Sequence, residues 1–390
     1  MTGRERVITA LGHREPDRVP YDLAGTTATG ISRGAFLRAM AERGLPADFD
    51  LAVADPIQNI VTPSEDVLFA LGSDTRRVGA RRIQDFENVR RREGDAWIVT
   101  DAFGCEWRMA EGRDVFFNLT FSPLRGFELL SEGLKQWAKP RWNAAAGAQM
   151  EGDLERQAEA LDENCGVADR NCAGLTEVSS RIRGAELWFM DTILEPASVE
   201  TLLDILLEYK IDYWRSFFDW LRRRGLGGKI QVLSECDDLG TQTSTLTHPD
   251  WLRRIVLPRW KTLWTFQKKE FPAARIFMHS CGAIRPIIPE LIEAGMEILN
   301  PVQFTAAGMD LSGLKKDFGR DIAFWGGGVD TQSTLVKGTP QEVADEVKRI
   351  LDIMAPGGGF VFAPVHNVQD DVPAANSWAM WETLQDYGRY

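Results

Sequence analysis

The chain has 390 residues, 44% of them hydrophobic and 26% charged, which is ample material for a large core and shows no bias toward disorder, collagen or a disulfide scaffold. Its 45 basic and 57 acidic residues leave a net charge of −12, which repels phosphate backbones and anionic lipid and excludes nucleic acid and membrane surfaces as partners. Five cysteines, odd and sparse, point to free thiols in a reducing cytosol, and neither an apolar signal region nor a run of about 18 apolar residues is present.

A recurring unit organises the chain: a short apolar run, a polar or glycine-rich break, then an amphipathic helix. Arg18 to Gly25 (RVPYDLAG) is the first run, followed by a helix around Ser32 to Arg43. The stretch 84–125 breaks the rhythm, and Trp97 to Trp107 within it reads as a hairpin reaching over the barrel mouth. Lys229 to Cys236 (KIQVLSEC) precedes a helix starting near Pro249, and Arg275 to His279 (RIFMH) leads into Ile284 to Ala294. Met296 to Asn300 precedes a helix over Leu311 to Phe318, and Ile322 to Trp325 runs into Gly326-Gly-Gly328. Beyond Gly338, Thr339 is a candidate N-cap, Pro340 fits the first turn and Glu342 completes a capping box. Val343, Val347, Ile350, Leu351 and Met354 then share one face at 3.6-residue spacing, and Pro356-Gly357 ends that helix. Gly359 to Pro364 and a final helix over Ala374 to Tyr387 close the series.

Strand and helix signals in alternation predict parallel strands covered by helices. Six such units without a composition break favour a single α/β (β/α)8 TIM barrel over 1–390, with an N-terminal extension and the hairpin excursion at 84–125. Barrels of this kind place chemistry at the carboxyl ends of their strands. Polar residues at those ends are Asp22, Glu235 to Asp238, His279 with Cys281, Asn300 with Gln303, Asp330, and His366-Asn367.

His279-Ser-Cys281 is the sharpest local motif, because alternate residues of an extended segment point the same way and can converge on one atom. The positive end of the following helix favours a thiolate at Cys281. Imidazole and thiolate are zinc ligands, but a tetrahedral site needs three or four; His366, Cys236, Glu235, Asp237 or Asp238 could supply the rest. The alternative is a hydrogen-bonded core histidine beside a buried thiol. Asp237 and Asp238 are candidate general acids or bases, or a helix cap and a solvated side chain. The triple glycine reads as a tight strand-end turn rather than a phosphate loop, and Cys165 and Cys172 as packing thiols.

The segments Arg4 to Pro20, Asp237 to Gln242, His279-Ser-Cys-Gly282, Ile298 to Gln303, Phe324 to Gly327 with Asp330-Thr-Gln332, and Pro364 to Asn367 with Asp371-Val-Pro373 resemble the uroporphyrinogen decarboxylase superfamily over nearly the whole chain. The resemblance implies a single barrel, often a homodimer. It also implies one of two chemistries, cofactor-free decarboxylation of a porphyrinogen or zinc-assisted methyl transfer involving a corrinoid protein. Where the true decarboxylases carry arginines for substrate carboxylates, this chain reads Asp22-Leu-Ala-Gly-Thr-Thr27, which disfavours a porphyrinogen. His279 and Cys281 match the methyltransferases' metal motif, and His366 stands where those enzymes carry a third-ligand cysteine.

The resemblance therefore implies a cytosolic enzyme that demethylates a small methylated compound onto a corrinoid supplied by a partner protein. His279, Cys281 and His366 would hold the metal, Asp237, Asp238 and His366 would be catalytic, and Asp22, Asn300, Gln303 and Asn367 would orient substrate. The alternatives are a metal-free lyase or decarboxylase acting on a small acid, whose carboxylate Arg181 and Arg183 could receive, and a barrel that binds a cobamide or small ligand without catalysis.

Overall fold

The computed structural model describes residues 1–45, 51–79, 91–114, 116–140 and 160–390. Seven parallel strands form one sheet: β1 (Thr75–Val78), β2 (Cys165–Ala168), β3 (Ile230–Cys236), β4 (Arg275–His279), β5 (Ile298–Asn300), β6 (Ala323–Trp325) and β7 (Phe360–Val361). Each pairs with its neighbour in chain order. The segment at 20–22 closes the ring. Asp22 N–H donates to the Phe362 carbonyl at 2.9 Å on one side, and Asp74 N–H donates to the Tyr21 carbonyl at 2.8 Å on the other. This is the eight-stranded barrel that the alternating pattern predicts.

Two apolar layers hold it. Inside the ring pack Val167, Val232, Phe277, Ile298, Ala323, Trp325 and Val361, with Val7 and Leu11 of the N-terminal helix Gly3–Leu11 against them. The N-terminal extension is thus a plug for the barrel floor. Outside, the helices bury a much larger cluster against the strands. Strand side chains alternate between these layers. Because Phe277 and Ile298 face inward, so do His279 and Asn300, two residues further along at the strand ends. Period-two geometry alone delivers both to the mouth.

The helices at the carboxyl side match the sequence pattern closely. The helix Pro340–Met354 has Thr339 as N-cap with Glu342 closing the capping box, and it buries Val343, Val347, Ile350, Leu351 and Met354. The helices Leu311–Phe318 and Ala374–Tyr387 also have the predicted bounds. At Gly326-Gly-Gly328 the chain turns sharply, with φ of 85° and 87° at the first two glycines. Three elements that the strand-and-helix pattern did not single out are α1 (Leu175–Arg183), the helix Ala185–Leu194, and α2 (Pro196–Arg223), which runs 28 residues.

Two antiparallel additions sit near the strand ends. The predicted hairpin is real: Ala96–Thr100 pairs with Glu106–Ala110, inside a four-stranded sheet that adds Arg91–Glu93 and Asn118–Phe121. The part of that excursion at 84–90 and position 115 lie outside the described residues. The Arg181 guanidinium stands 5.4 Å over the Trp107 ring, which ties this sheet to the mouth. The second addition pairs Ile60–Thr62 with Ile31–Ser32 and Ala52–Asp55, and it brings Asp55 to the same rim.

Candidate functional site

His279, Cys281 and His366 come together above the barrel. Each offers one ligand atom, and these atoms all lie within 4.8 Å of one another. Cys281 Sγ is 3.6 Å from His279 Nε2, Asp238 Oδ1 is 3.7 Å from that same nitrogen, and the two imidazole centroids are 5.4 Å apart. Residues 87 positions apart in sequence thus share one point through the barrel alone.

The surrounding hydrogen bonds hold this arrangement. Asn300 Nδ2 donates to the Trp325 carbonyl at 2.8 Å, so Oδ1 is the atom that meets His279 Nδ1 at 2.5 Å. An oxygen can only accept there. The network therefore assigns the proton to Nδ1 and leaves the Nε2 lone pair facing Cys281 and Asp238. Gln303 Oε1 accepts from Gly282 N–H at 2.7 Å, and Asp238 Oδ1 accepts from Cys281 N–H at 2.9 Å. Gly240 and Gly282 touch back to back: a Cβ on Gly282, whose φ is +89°, would lie 2.5 Å from the Gly240 carbonyl carbon. Only glycine allows the two loops this approach.

Burial and charge keep the two imidazoles in the ligand form but not the thiol. Burial, then the Arg170 charge, pushes His279 down to about 4; burial, then His279, does the same to His366. Both rings are therefore neutral near pH 7, with lone pairs available for a cation. Burial and the Asp238 and Glu177 carboxylates push the Cys281 thiol up. This corrects the expectation of a thiolate stabilised by the following helix: that segment opens with a 3-10 turn at Arg285–Ile287, and the acidic neighbours outweigh it. A thiolate here requires a cation to balance it.

A pocket of about 70 Å³ opens beside the cluster, lined by His279, His366, Asp238, Cys236, Glu177, Asp55, Ile57, Gln58, Ala28, Ala173, Arg170 and Arg181. That is far below the roughly 300–1,000 Å³ of drug-sized ligand pockets, which suits a small substrate. Arg170 follows β2, and Glu177 and Arg181 project from α1. Arg181 donates to Glu177 at 3.0 Å. Burial acts to raise Glu177, but Arg181 and its other donors prevail and hold it below the usual carboxylate range. Arg170 and Glu177 escaped the sequence reading. The strand before Arg170, Cys165-Gly-Val-Ala168, is too short to show a period, whereas the apolar periodicity of α1 and α2 offered a usable signal.

Several predicted residues bind the protein's own groups. Asp22 is fully buried; its carboxylate accepts from Thr75 Oγ1 at 2.6 Å, Gly25 N–H at 2.8 Å and Trp325 Nε1 at 2.7 Å. Asp237 caps α1, accepting from Thr176 N–H, Glu177 N–H and the Thr176 hydroxyl, and from Trp260 Nε1 at 3.2 Å. Burial and nearby Glu177 push it up to about 7. Asn367 bridges Gly30 N–H at 2.7 Å and the Thr27 carbonyl at 3.0 Å. Gln303 reaches Gln242 as well as Gly282. Glu235 points away from the lumen into a buried pair with Lys210 at 2.7 Å, joined by Trp214 Nε1 at 2.6 Å. Arg183 is committed to Asp191 and to the Leu124, Phe127 and Glu128 carbonyls, so Arg181 alone of that pair reaches the pocket.

Residues 172–387, more than half of the chain, match the uroporphyrinogen decarboxylase (URO-D) family model. The chain belongs to the uroporphyrinogen decarboxylase family. The matched region of this family member carries Cys236, Asp238, His279, Cys281 and His366. Among solved structures, a methyltransferase from Methanosarcina mazei superposes with a TM-score of 0.65 at 19% identity, covering 99% of both chains, and so shares the whole fold. Xylanase 10B from Thermotoga maritima aligns over 63% of this chain and 81% of its own at 12% identity, with a TM-score of 0.34, too low to bear on the fold. No curated protein sequence matches the chain.

Proposed function

We propose that this member of the uroporphyrinogen decarboxylase family is a metal-assisted methyltransferase that takes a methyl group from a small methylated compound and passes it to a corrinoid protein. The observation that carries the reading is the convergence of His279, Cys281 and His366 within 4.8 Å of one another, with both histidines lining a small pocket. The whole-chain likeness to a structure named as a methyltransferase supports it.

The donor set suits zinc: two neutral imidazoles and a thiol, with one ring anchored through its far nitrogen by Asn300. When bound, zinc would supply Lewis acidity toward an ether, amine or hydroxyl of the substrate. The chain's own residues perform the rest. Asn300 fixes the His279 tautomer, and Gln303 and Gly282 hold the loop that presents Cys281. Asp238 lies beside His279 with its carboxyl raised by burial and Glu177, so it can carry a proton at the pocket wall. Asp237 anchors α1 and with it Glu177 and Arg181. Partners in this reading are a corrinoid protein and a second copy of the chain. A cytosolic setting fits five free cysteines, and no described helix is long and apolar enough to cross a membrane.

The test is elemental analysis of untagged wild type and Cys281→Ser, paired with methylation of cob(I)alamin from a panel of small methylated compounds. Near-stoichiometric zinc in wild type, its loss in the variant and zinc-dependent methylation are expected. Turnover of a small acid that survives exhaustive chelation would replace this reading with a metal-free lyase.

A further inference from the structure

Arg170 is 5% exposed, yet its guanidinium is poorly used by the protein. Among the described residues only Nη1 finds acceptors, Asp169 at 3.4 Å and Ser234 at 3.3 Å, both long contacts. Its Nε has no partner. A buried guanidinium normally spends its donors on carboxylates or carbonyls, as Arg183 does with four such bonds in this same fold. Arg181, the second cation of the pocket, gives one nitrogen to Glu177 and rests over Trp107, with its other donors unused among the described residues.

The carboxylates of the pocket are in the opposite condition. Asp55 accepts from Ile57 and Gln58 N–H, Glu177 from Gly174 and Asp238 N–H as well as Arg181, and Asp238 from Cys281 N–H. Each of these carboxylates already holds a donor, whereas both guanidinium groups keep N–H groups without an acceptor among the described residues. At the arginine side of the pocket, an incoming group that carries acceptor oxygens and negative charge meets those open donors.

We propose that Arg170 and Arg181 form a carboxylate subsite, so that the substrate is a small methylated acid held by its carboxylate with its methylated heteroatom toward His279 and His366. This rests on the methyltransferase reading for the role of the histidines, but not for the binding of the acid. With about 70 Å³ beside the arginines, the acid is of few carbons. Fixing one end against a planar cationic fork and leaving the other at the cluster is how a small substrate gains orientation without much contact area.

The experiment is calorimetric titration of methoxyacetate against its neutral counterpart methoxyacetamide, on wild type as purified and after chelation, and on Arg181→Gln and Arg170→Gln. Methoxyacetate should bind at least tenfold more tightly than the amide. Arg181→Gln, at a partly exposed position, should lose that preference while its zinc content stays at the wild-type level, any fall in melting temperature reflecting the lost Glu177 and Trp107 contacts. Arg170→Gln, read only if it folds, should lose it too. Equal binding of acid and amide by wild type, or a preference untouched in Arg181→Gln, overturns the subsite. Because the comparison is one of binding, absence of zinc or of cobalamin methylation would sink the methyltransferase reading while leaving a measured acid preference intact.

Discussion

Asn300 donates from Nδ2 to the Trp325 carbonyl, so its oxygen can only accept from His279 Nδ1, and one amide thereby sets which ring nitrogen a cation can meet. Removing it frees the ring to rotate or to change tautomer. We expect Asn300→Ala to weaken zinc about 10–100-fold, and Asn300→Asp, which still accepts, to retain it. Competition against a chromogenic chelator measures both; equal affinity in wild type and the alanine variant would show that packing alone orients His279. At this scale the sequence revealed which residue types converge, because a His-x-Cys pair on an extended segment points one way. It did not reveal that Asn300, Gln303 and Asn367 spend their side chains on neighbouring backbone and histidine. Nothing in a linear pattern distinguishes an amide that faces a ligand from one that faces the protein's own loops.

The loops after β3 and β4 meet at Gly240 and Gly282, and that contact sets the height of Cys281 above the barrel. A methyl group on Gly282 would collide with backbone atoms of Gly240 and Thr241 at 2.5–2.6 Å and would also sit at a φ of +89°. No side-chain rotation relieves a clash with main chain, so the loops must part. Gly282→Ala should cost about 1–3 kcal/mol in urea unfolding and should release zinc, whereas Gly228→Ala, where nothing lies within 4 Å, should change neither. A Gly282→Ala protein with wild-type zinc content would place the metal determinant elsewhere. Elements differ in legibility for related physical reasons. The helix Pro340–Met354 announces its cap, its face and its end, since all three depend on local residues. Strand β1, Thr75-Arg-Arg-Val78, is buried by charge pairing instead: Arg76 with Glu65 at 2.6 Å and Arg77 with Asp169 at 2.8 Å. Its tertiary partners make it a strand, and hydrophobic alternation is absent.

Closure of the barrel depends on the segment at 20–22, which joins the ring through few backbone bonds and therefore needs side-chain support. The Tyr21 hydroxyl meets Trp381 Nε1 on the outside. On the inside the Asp22 carboxylate spans from its own turn to Thr75 of β1 and Trp325 of β6, so one acidic group ties the first segment to strands on both sides of the lumen. Its position at a strand end matches the pattern of a substrate-binding residue, and it opens the arginine-free stretch whose departure from the decarboxylases set porphyrinogens aside. Its contacts argue that it acts on the whole molecule. Asp22→Ala leaves the Thr75 hydroxyl, the Gly25 N–H and the Trp325 N–H without their acceptor in a dry interior, at roughly 1–3 kcal/mol each before relaxation. We expect a loss of about 3 kcal/mol or more of unfolding free energy, read from the urea midpoint at constant slope, with zinc content and ligand binding unchanged in the folded fraction. A variant of wild-type stability that no longer binds substrate would return Asp22 to the pocket, and the carboxylate would then be a recognition group that the lumen merely shelters.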